Sequence, residues 1–378
     1  MRAGILTFHR AYNYGAVLQA YALQKKLSDM GLSNEIIDYW PQAFKYMYFL
    51  KKKFKLSHPP VKTWIWHARA KNIINKRAQN FEMFIQNKLT LSENTYTSYK
   101  RLEQADLKYD LYITGSDQVW NNSCAAFDKA FFLQIPQAKR KYSYAASFGF
   151  LSIPPELKDE YKKRLAGYER YSVREQSGKE ILSDLLSVDA CVNCDPTLLL
   201  SKDEWLKLID NRTNIDEKYI LVYYVKKTYK LKEMAVGLSK KTGYKIIILP
   251  CNMSFDSLTG RADAGFGATT ISDASPEDFL ALFYGAQYVL TNSFHGTVFS
   301  IIFQKQFISQ TTLDNGNENR RAKELLKALN LSDREDVDLN CIDNPINWDG
   351  AEEHLKNFRA ASEEYLKLIV SDVDSYKN

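Results

Sequence analysis

Two hydrophobic patterns alternate along the chain: short apolar runs, and longer stretches in which apolar residues recur every three or four positions. The runs predict strands at 2–7, 35–38, 111–114, 142–145, 171–173 and 190–194. Between them the longer period predicts helices at 16–30, 155–165 and 178–186, the first with Val17, Ala20, Tyr21, Leu23 and Leu27 on its inner faces and Gly31 as its stop. A polar stretch at 201–214, holding a short helix around Trp205, follows Asp195-Pro196-Thr197. A second series then begins, with strands at 219–225, 245–249, 288–291 and 306–308 and helices at 230–241, 276–283, 320–329 and 351–370. Such alternation implies largely parallel sheets with helices on their faces. Because 378 residues exceed what one core serves, two α/β domains are expected, 1–200 and 201–378, facing each other across a cleft, with the last helix packing back on the first domain.

The sharpest change of pattern lies at 288–302. The apolar run Tyr288-Val289-Leu290 stops at Thr291-Asn292-Ser293-Phe294-His295-Gly296-Thr297, and Val298, Phe299, Ile301 and Ile302 then resume with helical spacing. This predicts a strand-to-helix turn, where unpaired backbone N–H groups and a partial positive charge favour an anion. On this reading Gly296 lets the backbone approach that anion, and His295 has a proton to give or take beside it. A histidine at such a place serves equally as a cap or a packed polar residue.

Three other loops sit at predicted strand ends, the edge at which open parallel sheets bind ligands. Residues 8–16 lack the GxGxxG spacing of a dinucleotide site, and their polar and aromatic side chains suit a sugar, so Asn13, Tyr14 and Gly15 are candidate sugar contacts. Ser116, Asp117 and Gln118, in Gly115-Ser116-Asp117-Gln118-Val119-Trp120, have the same character, although Gly-Ser-Asp is also common turn chemistry. In Ser172-Val173-Arg174-Glu175 an arginine stands where a strand gives way to a helix, free to clamp an anion or to pair with Glu175 or Glu180.

Composition narrows the class. An apolar content of 45% supports two cores, no run approaches a membrane span, and Met1 leads into a strand without a signal-peptide pattern, so a cytoplasmic protein is expected. Five scattered cysteines argue against a disulfide framework, and Cys191-Val192-Asn193-Cys194 lies in a predicted strand, so buried reduced thiols are expected rather than a metal or redox site. Charge is uneven: between Asp38 and Glu82 there is no acidic residue but ten basic ones, from Lys45 to Arg77, in a chain of net charge +6. Trp40, Tyr46, Tyr48, Trp64 and Trp66 are interleaved with them, which suits a peripheral contact of 45–77 with an anionic inner-membrane surface. With no accompanying motif, nucleic acid is not an expected partner.

Taken in order, Asn13-Tyr14-Gly15-Ala16, Gly115-Ser116-Asp117-Gln118-Val119-Trp120, Ser172-Val173-Arg174-Glu175, Asp195-Pro196-Thr197 and Ser293-Phe294-His295-Gly296 resemble the polysaccharide pyruvyl transferase family, over nearly the whole chain. The resemblance implies a fold of two Rossmann-like domains of the glycosyltransferase GT-B type. It also implies transfer of a pyruvyl group from phosphoenolpyruvate to two hydroxyls of one sugar, giving a cyclic ketal and phosphate. The acceptor would be a capsule, exopolysaccharide or cell-wall precursor, lipid-linked if 45–77 meets a membrane. No metal or organic cofactor is expected. Donor binding falls mainly to the second domain and acceptor binding to the first.

Matched to that chemistry, His295 is the candidate acid/base and Arg174 the candidate clamp, with Ser293, Phe294, Gly296 and Thr297 around the donor. Many members carry Arg-Leu-His-Gly where this chain has Ser293-Phe294-His295-Gly296, and Arg321, or Lys226 or Lys227, are the candidates to replace the missing charge. A nucleotide-sugar glycosyltransferase on the same fold, or a catalytically silent glycan-binding relative, are the competing readings.

Overall fold

Strand β1 (Arg2–Leu6) and strand β8 (Tyr219–Tyr224) are apolar along nearly their whole length and buried on both faces. That is the signature of a parallel strand covered by helices on either side, and each strand sits centrally in such a sheet. The computed structural model describes residues 2–44, 60–209, 215, 217–251, 267–313 and 319–374.

The chain divides into two compact units, one formed by 1–46, 85–200 and 355–378 and the other by 47–84 and 201–354. In the first unit β1 lies between β2 (Ser33–Ile36) and β3 (Leu111–Thr114), followed outward by β4 (Lys141–Ser143) and β5 (Tyr168–Arg170), in the order β2-β1-β3-β4-β5. The pairs are parallel, with Ile5 opposite both Ile36 and Ile113. A two-stranded parallel pair, β6 (Ser172–Val173) and β7 (Cys191–Val192), continues the edge through bridges from Ala146 to Asp117 and Val173. The C-terminal helix returns to this unit: Ser362 Oγ accepts from Cys194 N (2.9 Å), and Tyr365 donates to the Ser143 carbonyl (2.9 Å).

In the second unit the order is β10 (Ala268–Thr270), β9 (Lys245–Pro250), β8, β11 (Tyr288–Thr291) and β12 (Gln306–Ser309), again all parallel. Helix Tyr229–Thr242 covers one face through Leu231, Met234, Ala235 and Leu238, which pack with Ile220, Val222, Ile246 and Ile248. Each sheet reverses its strand order once, at β1/β3 and at β8/β11. Ligands of open α/β sheets bind outside the carboxyl ends of the strands at such a switch point.

Strands β5 and β10 were not predicted, and the strand predicted at 142–145 is shorter and one residue earlier. Two further expectations change. Cys191 is exposed, so only Cys194 of that pair is a buried thiol. Arg77, counted with the basic segment, is fully buried and donates to the carbonyls of Pro250 (2.9 Å) and Cys251 (3.1 Å) at the end of β9. It belongs to helix Pro60–Lys88, whose Lys76 pairs with Asp273 at 2.6 Å. Positions 45–59, and the side chains of 60–70, lie outside the described residues. No helix among the described residues is long and apolar enough to cross a membrane.

Candidate active site

The switch point of the second unit is assembled by the segment that follows β11. Thr291 ends the strand with its hydroxyl donating to the Tyr223 carbonyl (2.6 Å) and accepting from Ser293 N (3.1 Å), which turns the chain sharply. Asn292 then fastens the loop after β8: its Oδ1 accepts from Val225 N (2.9 Å) and its Nδ2 donates to the Lys226 carbonyl (2.5 Å). Helix Phe294–Ile302 starts immediately, with Ser293 as an N-cap residue whose side chain does not bond its own helix.

His295 is in the first turn of this helix, buried to 7% exposure, with its ring edge-on to Phe294 at 5.1 Å between centroids. The guanidinium of Arg321 stands over the same Phe294 ring at 5.9 Å. Asn319, one residue before helix Arg320–Ala328, donates from Nδ2 to the Asn292 carbonyl (3.0 Å), and its side chain accepts nothing from its own helix. Ser293, Phe294, His295, Arg321 and the exposed Lys226 are therefore joined at one sheet edge. Neither asparagine is marked as a site residue by the sequence alone. An Asn at a strand end or before a helix is a recognisable turn or cap signal, but nothing local shows that the two meet.

Two residues of the motif serve the scaffold. Thr297 is fully buried, with its hydroxyl 2.8 Å from Ser309 Oγ on β12 and donating to the Ser293 carbonyl (3.1 Å). Gly296 packs the helix onto the sheet: a Cβ there would lie against Thr291 Oγ1 and 2.9 Å from Tyr223 Cδ1. Its lack of a side chain is needed for that contact, a packing reason for glycine beside the expected approach to an anion.

At the switch point of the first unit, Asn13 is the N-cap of helix Tyr14–Asp29, accepting from Ala16 N (3.2 Å), while Tyr14 and Gly15 are buried in its first turn. Ser116 donates to Asp195 Oδ2 at 3.0 Å. The same carboxylate oxygen accepts from Arg174 at 2.7 Å, and the other is held by Thr197 N and Oγ1 at 3.0 and 2.6 Å. Glu175 and Asp117 approach the guanidinium at 3.8 and 4.0 Å. Burial works against the Arg174 charge, but Asp195, Glu175 and Asp117 more than offset this, raising its pKa above the ordinary arginine value. An anion at Arg174 would have to compete with a carboxylate already there.

Asp117 occupies the left-handed region (φ 82°) and accepts from Gln118 N at 2.8 Å. Gln118 Oε1 in turn accepts from Asn121 Nδ2 at 2.8 Å. Ser116, Asp117, Gln118, Arg174 and Asp195 thus form one connected group. The loop after β1 builds another: Asp38 accepts from Arg10 Nε and Nη2 (2.6 Å each), from Thr95 Oγ1 (2.5 Å) and from His9 Nε2 (3.1 Å). Burial raises the Asp38 pKa, yet the bonds from His9 and Arg10 outweigh it and leave the carboxylate well below the usual range. Among the described residues no group of three or more His, Cys, Asp or Glu side chains is arranged to hold a metal ion.

The family model for polysaccharide pyruvyl transferase matches residues 13–310. Among curated proteins no match is found. UDP-N-acetylglucosamine 2-epimerase from Rickettsia bellii is structurally similar, at 14% identity over 99% of this chain and 97% of that one, with a TM-score of 0.50. The Neisseria meningitidis UDP-GlcNAc 2-epimerase bound to UDP-GlcNAc follows at 11% identity, 100% of both chains and a TM-score of 0.49. Heptosyltransferase WaaC with ADP from E. coli aligns at 13% identity over 85% and 92% of the two chains, with a TM-score of 0.38. At such identities the likeness concerns the fold alone, a GT-B-like pair of parallel α/β units. With the family model spanning motifs in both units, the chain belongs to the polysaccharide pyruvyl transferase family.

Proposed function

We propose that this transferase takes phosphoenolpyruvate as donor and forms a pyruvate ketal on two hydroxyls of one sugar residue in a surface-polysaccharide or cell-wall precursor. The observation that carries the reading is His295 in the first turn of helix Phe294–Ile302, at the switch point of the second sheet, in a chain of this family. Proton delivery to the donor's methylene carbon creates an oxocarbenium-like centre. One sugar hydroxyl attacks it and loses its proton; phosphate then leaves with the electrons of its C–O bond, and the second hydroxyl closes the ring and loses its own proton. A group that gives and takes protons is needed beside anion-binding donors, and His295 at a helix N-terminus supplies that pairing.

Arg321 beside Phe294 supports a replacement for the charge missing at Ser293, and Lys226 stands on the loop that Asn292 holds. In this reading Arg174 and the buried Ser116 act by holding Asp195 and the Asp117 loop, and Asp117 and Gln118 face the acceptor. On the same reading the acceptor is lipid-linked, and the basic segment 45–77, apart from the buried Arg77, meets the cytoplasmic face of the inner membrane.

Titration calorimetry with phosphoenolpyruvate tests the donor, with UDP-N-acetylglucosamine as comparison. Binding of phosphoenolpyruvate that weakens in His295→Gln supports the proposal. Binding of the nucleotide sugar alone overturns it in favour of a glycosyltransferase.

A further inference from the structure

The buried cluster around Asp38 has no part in the chemistry above, and its cost calls for an explanation. His9 is wholly buried, Arg10 is 3% exposed and Asp38 2%. Buried ionic groups are seldom the cheapest way to stabilise a fold, because desolvation offsets most of the attraction; they are better at holding one geometry. What this cluster holds is the guanidinium of Arg10, fixed by two bonds to Asp38, and its Cζ stands over the Trp40 ring, 5.2 Å from the centroid.

Trp40 is half-buried, with its indole Nε1 turned inward. Its backbone is pinned by the Trp40 N to Tyr96 carbonyl bond (2.8 Å), and Tyr12 packs obliquely against the ring at 6.2 Å. Beneath, Phe8 meets Phe44 and Phe131 edge-on at 5.1 and 4.7 Å. The loops concerned follow β1 and β2, at the carboxyl edge of the first sheet. A rigid, half-buried indole backed by a guanidinium whose charge is already satisfied is suited to an uncharged, flat, C–H-rich face rather than to an anion.

We propose that Trp40 is the stacking platform for a pyranose ring of the acceptor, with the His9–Asp38–Arg10 cluster as its positioning support. The assignment deepens the pyruvyl transferase reading and rests on it for the word acceptor.

The test uses the full chain and p-nitrophenyl glycosides of glucose, galactose, mannose and N-acetylmannosamine, with binding read by saturation-transfer NMR. Trp40→Ala should weaken the best-bound glycoside about tenfold and Trp40→Phe should restore part of that loss, as expected for stacking. The affinity for phosphoenolpyruvate, measured in parallel, should stay unchanged in both, and circular dichroism should show both folded. Equal glycoside affinity in wild type and a folded Trp40→Ala, or no glycoside bound by wild type, overturns the platform. Glycoside binding lost with Trp40 in a protein that does not bind phosphoenolpyruvate would leave the platform standing and sink the donor reading instead.

Discussion

Arg174 donates to Asp195 across 2.7 Å with both side chains almost completely shielded from water. Removing one partner of such a pair leaves an uncompensated buried charge, so Asp195→Asn or Arg174→Met alone should lower stability by about 3 kcal/mol or more. The double variant should lose much less than the sum, because it leaves neither charge behind. Urea unfolding of the four proteins measures the cycle; additive losses would show that the pair is not coupled.

The close approach of Gly296 to Tyr223 predicts a packing defect. Gly296→Ala must push helix Phe294–Ile302 off β8 and β11 and should cost about 1–3 kcal/mol. The displaced first turn carries His295, so on the proposed donor chemistry phosphate release from phosphoenolpyruvate should fall as well. Unchanged urea midpoints would show that the sheet yields.

Asp38 predicts an acid-side change in stability. Its folded pKa is depressed, so its contribution is fully present above the ordinary aspartate value of about 3.9 and is lost as pH falls below it toward the folded value. The stability difference between wild type and Asp38→Asn should therefore be constant from neutrality to about pH 5 and shrink below about pH 4. A difference that stays flat down to pH 2 would remove the assigned linkage.

Lys305 predicts the opposite limb. Burial, with the nearby Lys202 charge, pushes its amine down to about 8, and both ammonium groups lie over the Tyr284 ring, at 5.3 and 5.7 Å. Between that value and the ordinary lysine value of about 10.4 the unfolded chain binds the extra proton, so this group makes stability rise with pH across the window. At pH 8, acylation by an N-hydroxysuccinimide acetate ester, followed by peptide mass spectrometry, should label Lys305 ahead of exposed lysines such as Lys241. Lys202→Met should slow it; equal labelling in the two proteins would show that Lys202 does not set the reactivity.

Much of the architecture was legible because parallel strands buried on both faces leave continuous apolar runs, and 111–114 and 288–291 were read to the residue. Ala268–Thr270 was not, since an edge strand of one alanine and two threonines, none of them fully buried, has no such run. Tyr168–Arg170 alternates too briefly, with Glu169 exposed between a buried Tyr168 and a half-buried Arg170, to stand apart from the strand that follows it. At the site, the strand-to-helix turn was readable because its chemistry is local. The partners of Arg77 and Asn319 were not: 173 residues separate Arg77 from Pro250, and 27 separate Asn319 from Asn292. A charge in a basic segment reads as surface until the carbonyls it serves are known.

The return of the last helix to the first unit has a consequence for synthesis on the ribosome. Residues 47–84 and 201–354 can meet as soon as position 354 has emerged, whereas the first unit still lacks Ser362 for the Cys194 amide, Tyr365 for the Ser143 carbonyl and Asp372 for Arg170. The first unit, begun before the second, is thus completed after it. Until residues 355–374 clear the exit tunnel, the half holding Trp40 and Asp195 must wait with its core unsealed, a natural client for a chaperone.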